Sequence, residues 1–406
     1  MTAFRVGLLG HGTVGSAFRS LLQERADEVE ATTGLRPEIA GVLTRSSGDL
    51  EEIVAASDLV VELIGGVEPA RDYVLRALGS QKHVVTANKA LLSKHGEEIY
   101  DAARAAGVQL RFEAAVGGVV PVIRVIHETL AAAHIDRVHG IVNGTTNFIL
   151  TEMERTGVSY DEALHEAQGL GYAEADPTDD VTGRDAAAKM AILARLAFGA
   201  RVSVEDVSYE GIENLTGQDI AHARELGLSL KLVGTAERVD GGLSVRVHPT
   251  FLFGAHPLAS VNGSFNAVTI ESPAITEVTL SGPGAGGSQT ASAVLGDVVS
   301  AMIPPPSTIP PAVDLPLVTE TESSFYMHLE VADRPGVLAQ VAEILGLQGV
   351  SVRSVVQRGM GDEARLVMVM HPVPEGQFRA AVEMIRRLDF VRSEPRVIRV
   401  LEESFD

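Results

Sequence analysis

The stretch VGLLGHGTVGSAF, residues 6–18, decides how the first third of the chain folds. A β-type run over 4–10 ends in Gly10, and a run with helical spacing, TVGSAFRSLLQE, follows at once. Gly10-x-Gly12-x-x-Gly15 is a weak motif by itself, but closing a strand and opening a helix is the context it needs. Gly10 permits the tight turn, Gly12 lets a pyrophosphate approach the backbone, and Gly15 lets helix and sheet pack closely. Thr13 and Val14 stand in the first helical turn, where free N–H groups favour an anion. A tight glycine turn without a ligand is the other reading of the motif.

Working outward, EIAGVLTR (38–45), LVVELIGG (59–66), HVVTANK (83–89) and VQLRFEAAV (108–116) are apolar β runs, with helical stretches such as ARDYVLRALGSQ and SKHGEEIYDAARAAG separating most of them. This βαβ rhythm predicts a Rossmann-type, doubly wound parallel sheet over 1–125. The second strand ends in Arg45, flanked by Ser46 and Ser47, where an acid would hold an adenine-ribose hydroxyl. An arginine there pairs with a 2′-phosphate, which favours NADP over NAD; an exposed arginine that tolerates either cofactor is the alternative.

Composition removes several classes. The 406 residues suit two to three domains. No run of apolar residues is long enough to span a bilayer, and the N-terminus enters a strand pattern without a signal peptide. The absence of cysteine excludes disulfides and thiolate catalysis, and fits a reducing cytoplasm. A net charge of −21 argues against a nucleic-acid partner.

From about Pro121 the rhythm changes. PVIRVIHETLAAA (121–133) reads as a helix, and 226–253 and 265–287 carry β alternation with turn signals. This is an inserted α+β unit over 126–283, mostly antiparallel, to which the family resemblance given below assigns substrate binding and dimerisation; the chain then returns to complete the first domain over 284–303. A proline-rich linker covers 304–322. The remainder, 323–406, has the order βαββαβ of a ferredoxin-like unit.

The chemistry concentrates in GYAEADPTDDVTGRDAAAKMAILARLAFG (171–199). Carboxylates crowd before an apolar helix that carries one lysine, Lys189. Thr182 and Asp185 fit the N-cap and N3 positions of a capping box, and Gly199 fits the C-terminal stop. Asp185 and Lys189, four apart, share a face. A buried Asp–Lys pair that only orients the helix is one reading. The other is a desolvated lysine that exchanges the proton of an alcohol during hydride transfer. Lys89, after the fourth β run, lies where open α/β sheets bind ligands; a surface lysine at a helix start is its alternative. His83, His127, His139 and His248 show no metal-ligand spacing and read as structural or exposed.

GIVNGTTNFIL (140–150), GLGYAEADPTDDVTGRDAAAK (169–189), VTANKALLS (85–93) and GPGAGGSQTASAV (282–294) make the whole chain resemble the monofunctional bacterial homoserine dehydrogenases with a C-terminal ACT domain. The resemblance implies reversible, NAD(P)H-dependent reduction of L-aspartate 4-semialdehyde to L-homoserine, on the route to threonine, isoleucine and methionine. It implies Lys189 as proton donor and acceptor, and Lys89 as a second active-site lysine near the nicotinamide. Glu174, Asp180 and Asp185 match the acids of the substrate pocket. Gly171 and Gly286 match cofactor contacts. In FEAAVGGVVP (112–121), Glu113, Val116, Gly118 and Val120 match a structural monovalent-cation (Na+) site made of carbonyl oxygens.

The tail resembles an ACT domain through VADRPGVLAQVAEIL (331–345). This implies edge-to-edge pairing, a homodimer or homotetramer, and threonine feedback through Asp333, Gly336, Val337 and Leu338. Gln348 replaces an asparagine frequent before the following glycine, so a pairing module without effector stays open. Two rival readings are another ACT-bearing hydroxyacid dehydrogenase, which would use a histidine and an arginine, and a non-enzymatic amino-acid sensor.

Overall fold

The computed structural model describes residues 2–303, 309–358 and 364–401. Strand and helix alternate at first: β1 (Thr2–Leu9), α1 (Thr13–Glu24), α2 (Ala26–Thr33), β2 (Leu35–Leu43), α3 (Leu50–Ala56), β3 (Leu59–Glu62), α4 (Ala70–Gly79), β4 (His83–Thr86), α5 (Lys89–Ala106) and β5 (Leu110–Arg111). The strands are all parallel, ordered β2-β1-β3-β4-β5. A parallel sheet covered on both faces needs apolar residues throughout, and every position of β3 is buried. The order reverses at β1, so the crevice beyond the carboxyl ends of β1 and β3 is the ligand position of this topology. Two glycines make that crevice possible. Gly10 has φ +100°, and a Cβ there would lie 2.5 Å from the Leu63 carbonyl oxygen; a Cβ on Gly15 would lie 2.2 Å from the Gly10 oxygen.

A second unit follows: α6 (Val122–Arg124), β6 (Arg137–Ile141), α7 (Gly144–Thr156), α8 (Tyr160–Gly169), α9 (Thr178–Val181), α10 (Arg184–Phe198), β7 (Ser208–Tyr209), α11 (Gly217–Glu225), β8 (Leu228–Val239), β9 (Gly242–Phe253), β10 (Phe265–Ser272) and β11 (Thr276–Pro283). Its main strands are antiparallel, ordered β11-β10-β6-β8-β9. The helix expected over 121–133 is shorter. After α6 it widens into a π turn, Val125–Thr129, closed by Leu130 N on the Val125 oxygen at 2.8 Å. The β-branched run Val122, Ile123, Val125, Ile126 crowds an ordinary α ladder. The chain then returns as α12 (Gly287–Ala301), whose Ala291, Val294 and Val298 pack with Phe18 and Leu22 of α1.

The last unit comprises β12 (Glu322–Val331), α13 (Val337–Leu347), β13 (Val352–Arg358), β14 (Ala364–Met370), β15 (Val373–Pro374), α14 (Glu375–Arg386) and β16 (Arg396–Leu401). The order β16-β12-β14-β13 is ferredoxin-like, with β15 as a short addition on β12. Nothing in the pattern announced that β16 would run parallel to β9, with Arg399 opposite Thr250. Each strand was an edge with unpaired backbone groups, and pairing satisfies both. One continuous sheet therefore joins the second and third units.

Of the segment read as a linker, 304–308 lie outside the described residues. The rest is strapped to the second unit rather than free. Val313 N donates to the Gly199 oxygen at 2.7 Å, Leu243 N to the Pro316 oxygen at 2.7 Å, and Arg195 Nη2 to the Pro310 oxygen at 2.6 Å. Proline lacks an N–H but keeps its carbonyl, so this run serves mainly as a row of acceptors. Among the described residues no helix is long and apolar enough to cross a membrane.

Candidate active site

Lys89 is placed by a chain of polar contacts at the end of the parallel sheet. Thr86, the last residue of β4, donates through Oγ1 to buried Glu62 at 2.6 Å and accepts from Asn88 N at 3.0 Å. Asn88 then caps α5, accepting from Leu91 N at 3.1 Å and donating Nδ2 to the Gly66 oxygen at 2.6 Å. Lys89 is thus the first residue of α5, and its ammonium meets Asp185 Oδ1.

The helix bearing Lys189 does not begin as the capping-box reading had it. α10 starts at Arg184, and its N-cap is Gly183 with φ +87°. Thr182 ends α9 and donates Oγ1 to the Thr178 oxygen at 2.7 Å. A left-handed residue between two helices turns the chain sharply, which frees the Asp185 carboxylate from its own backbone. Gly199 at φ +68° does stop the helix.

Asp185, only 4% exposed, is the hub. Lys89 lies on one oxygen and Lys189 Nζ on the other at 2.7 Å. Lys189 also donates to the Val142 carbonyl oxygen at 2.7 Å. Asn143 Nδ2 bridges Asp180 at 2.7 Å and Asp185 at 2.8 Å. Asn143 is held in turn as the N-cap of α7, accepting from Thr146 N at 2.8 Å. Asn143 and Glu62 were not singled out from sequence; the signal for Asn143 was a cap residue at the strand-to-helix junction of IVNGTT.

The electrostatics follow from this packing. Burial lowers the Lys189 pKa, and the Lys89 charge adds to that, while Asp185 opposes both. Burial also pulls Lys89 down, but Asp185, Asp180 and Asp179 together outweigh it and raise its pKa. Burial pushes Asp185 up, yet the two lysines hold it well below the usual carboxylate range. Asp180 moves the other way, raised by burial and by Asp185. Two carboxylates and two ammoniums in one network are therefore set in unlike states, as acid–base sites require.

Lys89, Glu174, Asp176, Asp179, Asp180 and Asp185 line an open cavity of about 560 Å³. Lys189 lies against the Asp185 wall. Asp176 is engaged by Thr178 Oγ1 at 2.6 Å, whereas exposed Glu174 is held, among the described residues, only through its carbonyl, by Gln168 Nε2 at 3.2 Å. Gly171 turns the chain just before it with φ +78°.

The crevice of the first unit connects to this network. A Cβ on Gly287 would lie 3.2 Å from Thr13 Cγ2, so the Gly286 turn sits against the start of α1. A Cβ on Gly284 would lie 2.4 Å from Asn266 Oδ1, and Asn266 Nδ2 donates to the same Val142 oxygen that Lys189 uses, at 3.3 Å. Gly12 has open space around it, as a backbone that receives a pyrophosphate needs.

Comparison with known proteins places the chain in a family. The homoserine dehydrogenase profile matches residues 121–299, its NAD-binding domain profile 10–113, and the ACT domain profile 329–390. Homoserine dehydrogenase from Corynebacterium glutamicum is 43% identical, covering 98% of this chain and 96% of its own. The chain belongs to the homoserine dehydrogenase family. A crystal structure of a family member from Thiobacillus denitrificans superposes with TM-score 0.94 at 38% identity, covering 99% of both chains. A hyperthermophilic archaeal homoserine dehydrogenase in complex with NADPH covers 76% of this chain and 100% of its own, with TM-score 0.64 and 26% identity. The enzyme is an NAD(P)-dependent oxidoreductase acting on CH–OH, interconverting homoserine and aspartate 4-semialdehyde. Both rival readings, the hydroxyacid dehydrogenase and the sensor without activity, are set aside by this membership.

The other residues singled out from the sequence lie apart from the lysines. Arg45 is exposed at the end of β2, beside a turn in which Thr44 Oγ1 and Ser47 Oγ are 2.7 Å apart. The Glu113 carboxylate is occupied as a cap, accepting from Ile123 N at 2.8 Å and Arg124 N at 2.9 Å. Burial and nearby Asp297 raise its pKa to about 7. Val116 and Val120 are buried, and Gly118 turns with φ +66° against the Gly284 oxygen. In the ACT unit, Gly336 caps α13 at φ +91°, Val337 is buried, and Asp333 and Leu338 are exposed.

Proposed function

We propose that Lys189 is the acid/base of the homoserine–semialdehyde interconversion, with Lys89 as electrostatic support for the developing oxyanion. The observation that carries this is the Asp185 carboxylate held between both ammoniums at the wall of an acid-lined cavity. When bound, the reduced nicotinamide supplies the hydride. Lys189, as ammonium, gives its proton to the alkoxide oxygen during reduction; as neutral amine, it takes the hydroxyl proton during oxidation. Burial that lowers its pKa makes the neutral form accessible. Lys89, more exposed at the cavity, keeps its charge beside the oxyanion. Glu174 and Asp180 offer carboxylates to the substrate ammonium. Asp185 lines the same wall, but its oxygens already hold the lysines, so its part is to position them.

The crevice at Gly10, Gly12, Thr13, Val14 and Gly15 receives the dinucleotide, with Gly286, Gly171 and Lys89 toward its nicotinamide end. Arg45, free of ion pairs among the described residues, is the partner for a 2′-phosphate, which makes NADP the preferred cofactor. The carbonyls of Glu113, Val116, Gly118 and Val120 hold a structural Na+; that the Glu113 side chain is engaged as a cap supports its contributing only the carbonyl. Among the described residues β13 is the outer strand of the ACT sheet, and Leu338, Leu347 and Val355 are exposed nearby. This supports edge pairing into a homodimer or homotetramer, with threonine taken up at Asp333, Gly336, Val337 and Leu338. A cysteine-free chain fits the cytoplasm.

Homoserine oxidation with NAD or NADP, with and without threonine, tests these points. Arg45→Gln is expected to lower the NADP-to-NAD preference about tenfold, ~1.4 kcal/mol. An unchanged ratio would discard the Arg45 assignment.

A further inference from the structure

Asn143 stands where β6 gives way to α7, and it is only 3% exposed. Its amide has one orientation that fits. Oδ1 accepts from Thr146 N at 2.8 Å and from Thr146 Oγ1 at 3.0 Å, as the N-cap of α7 requires. Nδ2 then faces two carboxylates and donates to each, to Asp180 Oδ1 at 2.7 Å and to Asp185 Oδ2 at 2.8 Å. An amide nitrogen carries two hydrogens, so both are spent on acids. The residue before it serves the same cluster, since the Val142 carbonyl accepts from Lys189 Nζ at 2.7 Å. One dipeptide thus holds an ammonium through its backbone and two carboxylates through its side chain.

Capping alone does not call for this arrangement. A cap needs an acceptor, and serine or aspartate supplies one equally well. The donors answer to the pair of acids. Adjacent carboxylates resist ionising together, and one of them tends to keep a proton. Asp180 faces Asp185 and Lys189 from α10 and Lys89 from α5, while residues 144–150 of α7 bring no charged side chain. Burial and Asp185 favour the protonated form of Asp180; the Asn143 bond opposes them, ahead of either lysine. A protonated Asp180 would offer no charge to an ammonium. It could also donate to Asp185 and compete with Lys189 for that carboxylate.

We propose that Asn143 is a positioning residue of the reaction, whose amide divides two adjacent carboxylates into separate tasks, Asp180 for the substrate ammonium and Asp185 for the two lysines. Asp180 and Asp185 line the cavity and Asn143 is not among its lining residues, so it acts through them. The inference rests on the roles given above to Lys189 and Asp180.

The test is the pH dependence of kcat/KM for aspartate semialdehyde reduction by NADPH, in which the two roles govern opposite limbs. Loss of the Lys189 proton sets the basic limb, and protonation of Asp180 sets the acid limb. Asn143→Leu removes cap and donors together. Asn143→Ser keeps a cap and loses the amide, so it answers the question if the leucine variant fails to fold. In both, the acid limb is expected to move to higher pH by about one unit. The loss of kcat/KM is then about tenfold on the acid side, carried mainly by KM, and shrinks as pH rises. A uniform loss at every pH in Asn143→Leu, repaired by Asn143→Ser, would overturn the proposal and leave Asn143 as a cap. Lys189→Ala, run alongside, reads the other limb. A basic limb that survives there overturns the acid/base assignment, whereas an acid limb that stays in place in both Asn143 variants overturns the division made by Asn143.

Discussion

Two buried lysines, on α10 and on β8, set the same side chain in different surroundings. Lys189 and Lys231 each donate to a backbone carbonyl at 2.7 Å, Val142 in one case and Val261 in the other. Burial lowers the pKa of both, Lys231 to about 8. Among the described residues Lys231 has only Asn262 Oδ1, at 3.1 Å, as a further hydrogen-bond partner, and it is fully enclosed in the sheet. Lys189 has Asp185 at 2.7 Å, and through it Lys89, Asn143, Asp180 and the wall of an open cavity. Desolvation alone therefore does not mark a catalytic lysine. What distinguishes Lys189 is a counter-charge that holds it beside a space where a substrate can lie.

Replacing each lysine separates the two directly. Lys189→Ala is expected to reduce kcat roughly a thousandfold, measured as NADPH oxidation by aspartate semialdehyde, whereas Lys231→Met leaves kcat nearly unchanged. Equal losses in both would erase the distinction. Lys89→Ala is expected to cost roughly a hundredfold, in line with removal of one oxyanion donor, and to change kcat more than KM. An effect confined to KM would make Lys89 a binding residue instead.

Asp185→Asn would make Lys189 resemble Lys231, a buried cation with little but a carbonyl. Removing one partner of a buried pair costs about 3–5 kcal/mol, which chemical denaturation would register. The pH profile of oxidation should also move to lower pH, since Asp185 is what raises the Lys189 pKa against burial. A shift to higher pH would contradict the assignment of that influence.

The smallest effect concerns Lys231. Its pKa is 10.5 unfolded and about 8 folded. Below about 8 it is charged in both states, and the cost of burying it is fully present. Between about 8 and 10.5 the unfolded chain holds more protons, so this group makes stability rise with pH. Lys231→Met is expected to flatten that rise in Tm across the same window, and an unaltered slope would show that Lys231 is charged in the fold.

The sequence singled out one member of this contrast, Lys189, and not Lys231. The glycine spacing at Gly10, Gly12 and Gly15 showed the first sheet because those positions answer to backbone geometry, which is local. Lys189 was visible because a cation on an apolar helix is anomalous, and Lys89 because it ends a strand run. The capping box failed because Thr182 and Asp185 satisfy the spacing, while Gly183 between them takes a left-handed turn that no periodicity records. Asn143 was hidden because its Nδ2 reaches Asp180 and Asp185, about forty residues away. The β16–β9 junction was hidden for the same reason: edge pairing is decided by which strands remain unpaired once each unit has folded.

The most direct test is the pH dependence of kcat/KM for homoserine oxidation, in wild type, Lys189→Ala and Lys231→Met. The account predicts a basic group, titrating below the ordinary lysine value, that governs wild type and Lys231→Met alike and vanishes with Lys189. A near-normal rate with the same profile in Lys189→Ala would contradict it, and would leave Lys189 as another buried cation like Lys231.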